Sequence, residues 1–273
     1  MTRATRSSDL STVRRRQSRM ATFALGCLVC LVPASSQADE TEQVARGKQV
    51  YDTYCVVCHG VKGDGKGLMG IIHRAQKNGF VVQTYPRDFT AGMFKFRTTP
   101  TGSLPTDANL MRTISNGIAR SGMPSHQDLT VEEREDVIAY IKTFSKRWSE
   151  EKPEAPVEIG SQPDYVGTPA SVERGAQLYV DAGCVDCHGV GGRGDGPSSA
   201  TLKDNWGDKI LPFDFTSGGL KGGTQPVDIY RTFATGLDGT PMPSYEGVLE
   251  TQQGWDIVSY CLDIMAAGQR ARD

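Results

Sequence analysis

Two short stretches of this sequence place a pair of cysteines directly before a histidine. They are Cys55-Val56-Val57-Cys58-His59 and Cys184-Val185-Asp186-Cys187-His188. On a helix, residues three apart lie on the same face, so both thiols of a pair can reach the two vinyl groups of one porphyrin. The histidine that follows offers its imidazole to the iron. The spacing predicts two covalently attached c-type haems per chain, with His59 and His188 as iron ligands.

A zinc site and a redox-active dithiol are the other common uses of such cysteine pairs. Zinc needs four ligands, whereas the two clusters fall in separate parts of the chain. A dithiol has no need of a histidine after its second cysteine, yet a histidine follows both pairs. Both alternatives are therefore disfavoured.

A methionine in a matched local context follows each motif, in Met123-Pro124-Ser125 and Met242-Pro243-Ser244. Proline restricts the chain, so a thioether beside it can be held against the iron. A histidine and a methionine together saturate haem iron and raise its potential. We expect Met123 and Met242 to be the sixth ligands.

Other residues are candidates for supporting or competing roles. The second nitrogen of a ligand histidine needs an acceptor, and we expect the carbonyls of Pro86 and Pro212 to serve. His126 lies only three residues beyond Met123 and is a rival ligand, although a solvated loop position is favoured. His73 is expected at the surface.

The charge distribution bears on docking. Residues 39–150 carry 15 basic and 13 acidic residues, a net charge of +2, and residues 151–273 carry nine basic and 18 acidic, a net charge of −9. Such an asymmetry affects steering rather than fold, and it suggests that electrons arrive and leave at different ends. An acidic surface that only keeps the protein soluble is an equal alternative. Four cations are candidates for contacts with the haem propionates, with solvated surface charge an equal alternative: Lys95, Arg97, Arg112 and Arg231.

The first 38 residues have the pattern of a secretory signal peptide. Arginines precede a short apolar run from 20 to 32, and Ser36-Gln37-Ala38 predicts cleavage after Ala38. The run is too short to span a membrane comfortably. We therefore expect a periplasmic protein with no transmembrane segment in its mature chain. An uncleaved anchor, twin-arginine export and lipidation at Cys27 are less favoured.

The remaining sequence is an internal repeat that predicts two all-α domains. Each half opens with an amphipathic helix, at 44–51 and 172–179, that runs into its cysteine motif. A glycine-rich loop follows each histidine, a short helix closed by glycine precedes each methionine, and a terminal helix completes each half.

The expected domains cover residues 39–149 and 170–273. The proline-rich segment 150–169 between them is predicted to be a semi-extended linker. Cys261 lies inside the second terminal helix and is expected to be a buried apolar residue.

These motifs resemble the class I cytochrome c family, arranged in tandem as in the dihaem cytochromes c of bacterial periplasms. The resemblance covers about residues 40–267 and implies an all-α fold in which the opening and terminal helices cross near each haem. The Gly79–Pro105 segment is longer than in small members and is expected to cover a haem edge or to dock a partner. The residues that carry the resemblance are Cys55, Cys58, His59, Pro86, Met123, Cys184, Cys187, His188, Pro212 and Met242.

The resemblance implies a carrier of single electrons rather than an enzyme. Its partners would be donor and acceptor redox proteins, periplasmic or membrane-bound, and no nucleic acid. A dedicated haem subunit of a larger oxidoreductase shares the same chemistry and is the main alternative. A dihaem peroxidase needs an exchangeable iron site, and two intact Met-Pro motifs argue against it.

Overall fold

The computed structural model describes residues 34–75 and 81–273. Residues 1–33, which hold most of the predicted signal peptide, and residues 76–80 lie outside the described residues. The described chain is mostly helical, which confirms the predicted fold class. Among its helices none is both long and apolar enough to cross a membrane.

The helices fall into two similar series. The first half contains α1 (Ala34–Tyr54), α2 (Val56–His59), α3 (Asp107–Asn116), α4 (Val131–Lys142) and α5 (Arg147–Glu150). The second contains α6 (Pro169–Asp181), α7 (Cys184–His188), α8 (Pro226–Thr235) and α9 (Thr251–Arg270), with 3-10 turns at Ser199–Thr201 and Phe215–Ser217. The first helix begins at Ala34, before the predicted cleavage site after Ala38.

Local sequence sets the ends of several helices. At the start of α4, the Glu133 N–H donates to Thr130 Oγ1 at 3.1 Å, and the Thr130 N–H donates to Glu133 Oε2 at 2.8 Å. This reciprocal pair is a capping box, which satisfies two N–H groups that the helix leaves free. At the start of α6, Thr168 Oγ1 accepts from the Ser171 N–H without a reciprocal bond, ahead of a proline at the first helical position.

A small β-hairpin interrupts the helical pattern in the first half and was not expected from the sequence. Strands β1 (Ile72–Ala75) and β2 (Val81–Thr84) pair antiparallel, with Ile72 opposite Thr84 and Ala75 opposite Val81. β-Branched residues such as Ile72, Val81 and Val82 favour strands, and this was the missed signal. The hairpin lies partly within the Gly79–Pro105 segment that departs from small family members.

The opening and terminal helices of each half cross in close contact, α1 on α4 and α6 on α9. A methyl group on Gly47 would lie 1.9 Å from Asp136 O, and one on Gly175 would lie 1.9 Å from Asp256 O. Neither crossing therefore has room for a side chain at its closest point. An ion pair closes each crossing, Arg46 to Asp136 at 2.8 Å and Arg174 to Asp256 at 2.7 Å.

Because the backbone itself blocks the methyl group, Gly175→Ala is expected to destabilise the second domain by about 3 kcal/mol, the upper range for overpacking. Gly47→Ala should have a similar effect in the first domain. Urea unfolding of the haem-loaded protein measures the change. Gly191→Ala is the control, because only the flexible Arg193 side chain lies near that exposed position. An unchanged urea midpoint for Gly175→Ala would contradict the close crossing.

The segment between α5 and α6 contains no helix or strand between residues 151 and 168, and it contacts both halves. The Val157 N–H donates to Thr98 O at 2.8 Å, and the Glu154 N–H donates to Ser103 Oγ at 3.0 Å. The Val157 side chain packs against the core of the second half. The chain between the domains is thus held against them over part of its length.

Arg97 joins the two halves directly. Its side chain is fully buried, and its guanidinium lies 2.8 Å from Asp238 Oδ1 and donates to Thr235 O at 2.8 Å. The same side chain donates to Pro100 O at 3.1 Å within its own half. A buried cation with these partners fixes the first half against the end of α8, so the two halves meet through a specific polar contact.

Candidate haem sites

Each cysteine motif forms a short helix that presents its histidine to a backbone carbonyl. His59 Nδ1 lies 3.1 Å from Arg87 O, and His188 Nδ1 lies 3.2 Å from Phe213 O. A carbonyl oxygen only accepts, so Nδ1 carries the proton and Nε2 keeps its lone pair. This is the tautomer that a metal-binding histidine requires. Both histidines are therefore prepared in the same way to bind an iron through Nε2.

The acceptors are the residues after the two prolines, which corrects the sequence-based prediction for Pro86 and Pro212. The proline carbonyls point elsewhere: a methyl group on Gly65 would lie 2.7 Å from Pro86 O, and one on Gly194 would lie 2.5 Å from Pro212 O. Successive peptide groups of an extended chain face opposite ways. Each proline carbonyl therefore packs against the glycine loop, and the carbonyl of the following residue accepts the hydrogen bond from the histidine.

The histidine rings are also held by aromatic stacking. His59 stacks on Phe89 at 4.5 Å between ring centroids, and His188 stacks on Phe215 at 4.7 Å, both with 16° between ring planes. Burial lowers the pKa of both histidines, which keeps the imidazole neutral and able to bind a metal. The two phenylalanines belong to the repeated segments after Pro86 and Pro212, so each ring is fixed by equivalent residues.

The four motif cysteines form no disulfide and are only partly exposed. Burial raises the pKa of the Cys55 thiol to about 11, and it also raises the pKa of Cys184 and Cys187. Zinc and thiol exchange both require the thiolate. Within residues 34–75 and 81–273, no three His, Cys, Asp or Glu side chains converge on a possible metal position. Cys261 is buried, as expected.

The two methionines lie in loops with matching hydrogen bonds. The Ile118 N–H donates to Met123 O at 3.1 Å, and the Leu237 N–H donates to Met242 O at 3.2 Å. Ser121 Oγ accepts from the Met123 N–H at 3.3 Å, and Thr240 Oγ1 accepts from the Met242 N–H at 3.2 Å. The two loops are thus held alike.

Glycine is required where each short helix meets its methionine loop. Gly117 and Gly236 follow α3 and α8 with φ of 65° and 68°, a conformation that other residues rarely adopt. A methyl group on Gly117 would lie 2.5 Å from Pro124 C, and one on Gly236 would lie 2.8 Å from Pro243 C. The methionine loop therefore packs directly on the helix end.

Each methionine shares a hydrophobic core with residues near its histidine. Met123 and Cys55 both pack against the core of the first half, and Met242 packs against that of the second. The rival ligand His126 contacts the Tyr54 ring at 6.1 Å between centroids. His73 lies in β1, where its side chain is outside the described residues. The structure brings the predicted ligand sets into matched surroundings in both halves.

Cations gather where the two halves meet, and we call Arg87, Lys95, Arg97, Arg112, Lys221 and Arg231 the boundary cations. Burial lowers the pKa of Arg87 to about 10 and of Lys95 to about 8. The nearby cations Arg87 and Lys221 lower the pKa of Lys95 further, and the carboxylate of Asp204 raises it. Burying cations side by side is costly unless anions accompany them, so this boundary suits carboxylates such as haem propionates.

Carboxylates of the second half already contact part of the cluster. Arg112 of α3 donates to Asp228 Oδ1 at 3.0 Å, and Arg231 of α8 donates to the same oxygen at 2.8 Å. All four predicted propionate contacts line one small cavity together with Asp228: Lys95, Arg97, Arg112 and Arg231. The structure therefore assembles these cations at a single place, which the sequence alone did not indicate.

The fold and the two prepared histidines define a haem protein with tandem c-type domains. A family model described as Cytochrome c matches residues 44–145 and residues 172–264. The chain therefore belongs to the cytochrome c family and contains two cytochrome c domains in tandem. Membership of this family implies covalently bound haem c and a role in electron transfer.

A solved structure extends the comparison over most of the chain. It is a chain of the "Kuenenia stuttgartiensis reducing HAO-like protein complex Kustc0457/Kustc0458", with 42% sequence identity and a TM-score of 0.72. The match covers 80% of this chain and 95% of that chain. No curated protein matches the sequence.

Proposed function

We propose that the protein is a periplasmic dihaem cytochrome c that transfers single electrons between redox partners. One haem c is bound in each domain, through Cys55 and Cys58 in the first and through Cys184 and Cys187 in the second. His59 and Met123 would hold the iron of the first haem, and His188 and Met242 would hold the iron of the second. When bound, each haem supplies a one-electron iron couple.

The observation that carries this proposal is that the surroundings of both histidines and both methionines occur twice, once in each domain. The hydrogen bond from Nδ1 to a backbone carbonyl, the stacked phenylalanine and the loop holding the methionine occur in both domains. An iron with both axial positions filled transfers electrons without binding a substrate. Matched ligand sets therefore support a carrier over a peroxidase, which needs one exchangeable position.

The chain's own residues orient and enclose the two sites. The Arg87 and Phe213 carbonyls fix the proton of each histidine on Nδ1. The boundary cations would neutralise propionate charge where the domains meet, and Arg97 holds the domains together through Asp238. These contacts would fix one haem site relative to the other.

A specific observation also favours permanent association with a larger oxidoreductase. The similar chain comes from a reducing HAO-like protein complex named for two proteins, Kustc0457 and Kustc0458. Its 42% identity over most of this chain supports a dedicated haem subunit as the second candidate function. Co-purification of a catalytic subunit with the native protein at constant stoichiometry would favour it over a freely diffusing carrier. Two arguments support the proposed export to the periplasm. Residues 1–38 have the pattern of a signal peptide, and c-type haem is attached after the chain has been exported.

An optical spectrum of the purified ferric protein, followed through a redox titration, tests the central proposal. We expect the far-red band of methionine-ligated iron at an intensity that fits two haems, and two reversible one-electron steps. Hydrogen peroxide turnover should be negligible. A half-strength band with a high-spin signature and peroxide turnover would instead support the enzyme.

A further inference from the structure

One arginine of the first domain reaches the surroundings of the second histidine. Arg120 Nη1 lies 2.7 Å from Gly218 O, 2.9 Å from Ser217 O and 2.6 Å from Ser217 Oγ. The guanidinium carbon of Arg120 also lies 5.5 Å from the centroid of the Phe213 ring, in a cation–π contact. The segment from Phe213 to Gly218 is therefore held from across the domain boundary.

This segment supplies the two groups that hold His188. Phe213 O lies 3.2 Å from His188 Nδ1 and accepts its hydrogen bond, and the Phe215 ring stacks on the imidazole. The 3-10 turn Phe215–Ser217 connects these two groups to the carbonyls that Arg120 contacts. A displacement of the turn would therefore alter the hydrogen bond and the stacking together.

The first domain holds the equivalent segment with a cation of its own. Gly92 lies as far beyond Pro86 as Gly218 lies beyond Pro212, and both glycines have a positive φ, 59° and 69°. Arg147 Nη1 donates to Gly92 O at 2.7 Å, and Arg147 begins α5 of the same domain. The corresponding carbonyl in each domain thus receives an arginine, but from a different part of the chain.

The sequence of α9 explains why the second domain uses an arginine from elsewhere. Counted from the aspartate at each helix crossing, α9 has Ala267 where the first domain has Arg147. Arg272, near the end of the chain, contacts Thr216 O in the same turn. The cation on Gly218 O comes instead from the first domain.

The backbone of Arg120 supports a specific role for its side chain. Its φ is 60°, the only positive φ of a non-glycine residue in the described part of the chain. The second domain has Gly239 at the matching position of its methionine loop, with φ of 81°. Glycine adopts this conformation more readily than arginine, and a strained residue persists where surrounding contacts hold it. The contacts of Arg120 with the second domain are of this kind.

We propose that Arg120 is a positioning residue for the second haem site, because it holds the turn that keeps His188 Nδ1 bonded to Phe213 O. The second site is then complete only when the first domain lies against it. The hydrogen bond raises the basicity of the imidazole, which favours ferric iron and lowers the potential of the haem that His188 would bind. This inference rests on the electron-transfer function proposed above.

Arg120→Gly in the haem-loaded protein tests this role. The variant carries the residue that the second domain has at the same place, so the backbone should keep its conformation. In proton NMR of the ferric protein, the His188 Nδ1–H should exchange with deuterium about tenfold faster, because its hydrogen bond opens more often. The potential of the second haem should rise, because the imidazole becomes less basic. Loss of the positive charge alone would instead favour ferric iron and lower that potential.

Arg193→Ala is the matched control, because it removes the same charge from an exposed side chain in the glycine loop after His188. It should leave the exchange rate unchanged and should not raise the potential. Met242→Leu identifies the redox step that belongs to the second haem. An unchanged exchange rate in Arg120→Gly, or a second-haem potential that does not rise above that of the wild type, would overturn the role of Arg120.

The wild type distinguishes failure of this inference from failure of the proposed function. Two reversible steps in the wild type, together with no effect of Arg120→Gly, would reject only the positioning role. Absence of reversible haem steps from the wild type would reject the electron-transfer function, and the positioning role with it.

Discussion

Exchange of Met123 for leucine is expected to separate the redox behaviour of the two domains. Leucine keeps the volume of the side chain but removes the thioether, so the first haem should lose the sixth ligand proposed for it. The far-red band should fall to half its intensity. The potential of one redox step should fall by about 0.1 V or more, because a methionine ligand raises haem potentials. The other step should stay where it is in the wild type.

The chain offers a matched control for this experiment. Met111 packs against the same core as Met123, so Met111→Leu makes the same chemical change in the same domain without touching the proposed ligand. Its spectrum and both potentials should equal those of the wild type. In the second domain, Met242→Leu and Met265→Leu form the corresponding pair, since both methionines pack against the second core.

Retention of the full far-red band in Met123→Leu would contradict methionine ligation in the first domain. His126 lies three residues further along the chain and would then be examined by His126→Ala. Loss of an imidazole ligand would change both the spectrum and the potential of the first haem, whereas loss of a loop side chain that packs on the Tyr54 ring would leave the spectrum unchanged. The two variants together identify the sixth ligand.

Replacement of Arg97 by leucine is expected to separate the unfolding of the two domains. The change leaves Asp238 without its buried cation at 2.8 Å, and it removes the donor to Thr235 O. Breaking a buried ion pair from one side costs about 3–5 kcal/mol. Calorimetry of the haem-loaded protein should show the wild type unfolding in one transition and Arg97→Leu in two, with the first at a lower temperature.

Lys48→Ala is the control for this prediction. Lys48 pairs with Asp52 on the surface, where both side chains are about half exposed, and such pairs contribute about 0.5 kcal/mol or less. Its transition should overlay that of the wild type. If Arg97→Leu also unfolds in a single transition at the wild-type temperature, the contact through Arg97 does not hold the domains together.

The sequence by itself determined the chemistry and the repeat. The cysteine and histidine motifs, the matched methionines and the helical periodicities are local patterns, and each reflects only a few neighbouring residues. The glycine ends of α3 and α8 and the capping box at Thr130 were likewise readable, because helix ends depend on local backbone conformation. These features sufficed for the mostly helical fold and for membership of the cytochrome c family.

Only the tertiary structure decided which distant groups meet. The acceptors for His59 and His188 are Arg87 O and Phe213 O rather than the proline carbonyls, because the direction of a carbonyl depends on how its segment packs against the glycine loop. The pairing of β1 (Ile72–Ala75) with β2 (Val81–Thr84) joins two strands that are individually short.

The contacts between the two domains show most clearly what the sequence could not predict. Arg97 and Asp238 are far apart in the chain, and nothing in their local sequences predicts that they form a buried ion pair. The sequence likewise offered Lys95, Arg112 and Arg231 only as separate surface or propionate contacts, and the structure places them around one cavity. Burial and electrostatic partnership arise from the packing of one domain on the other, so they become visible only when both are folded together.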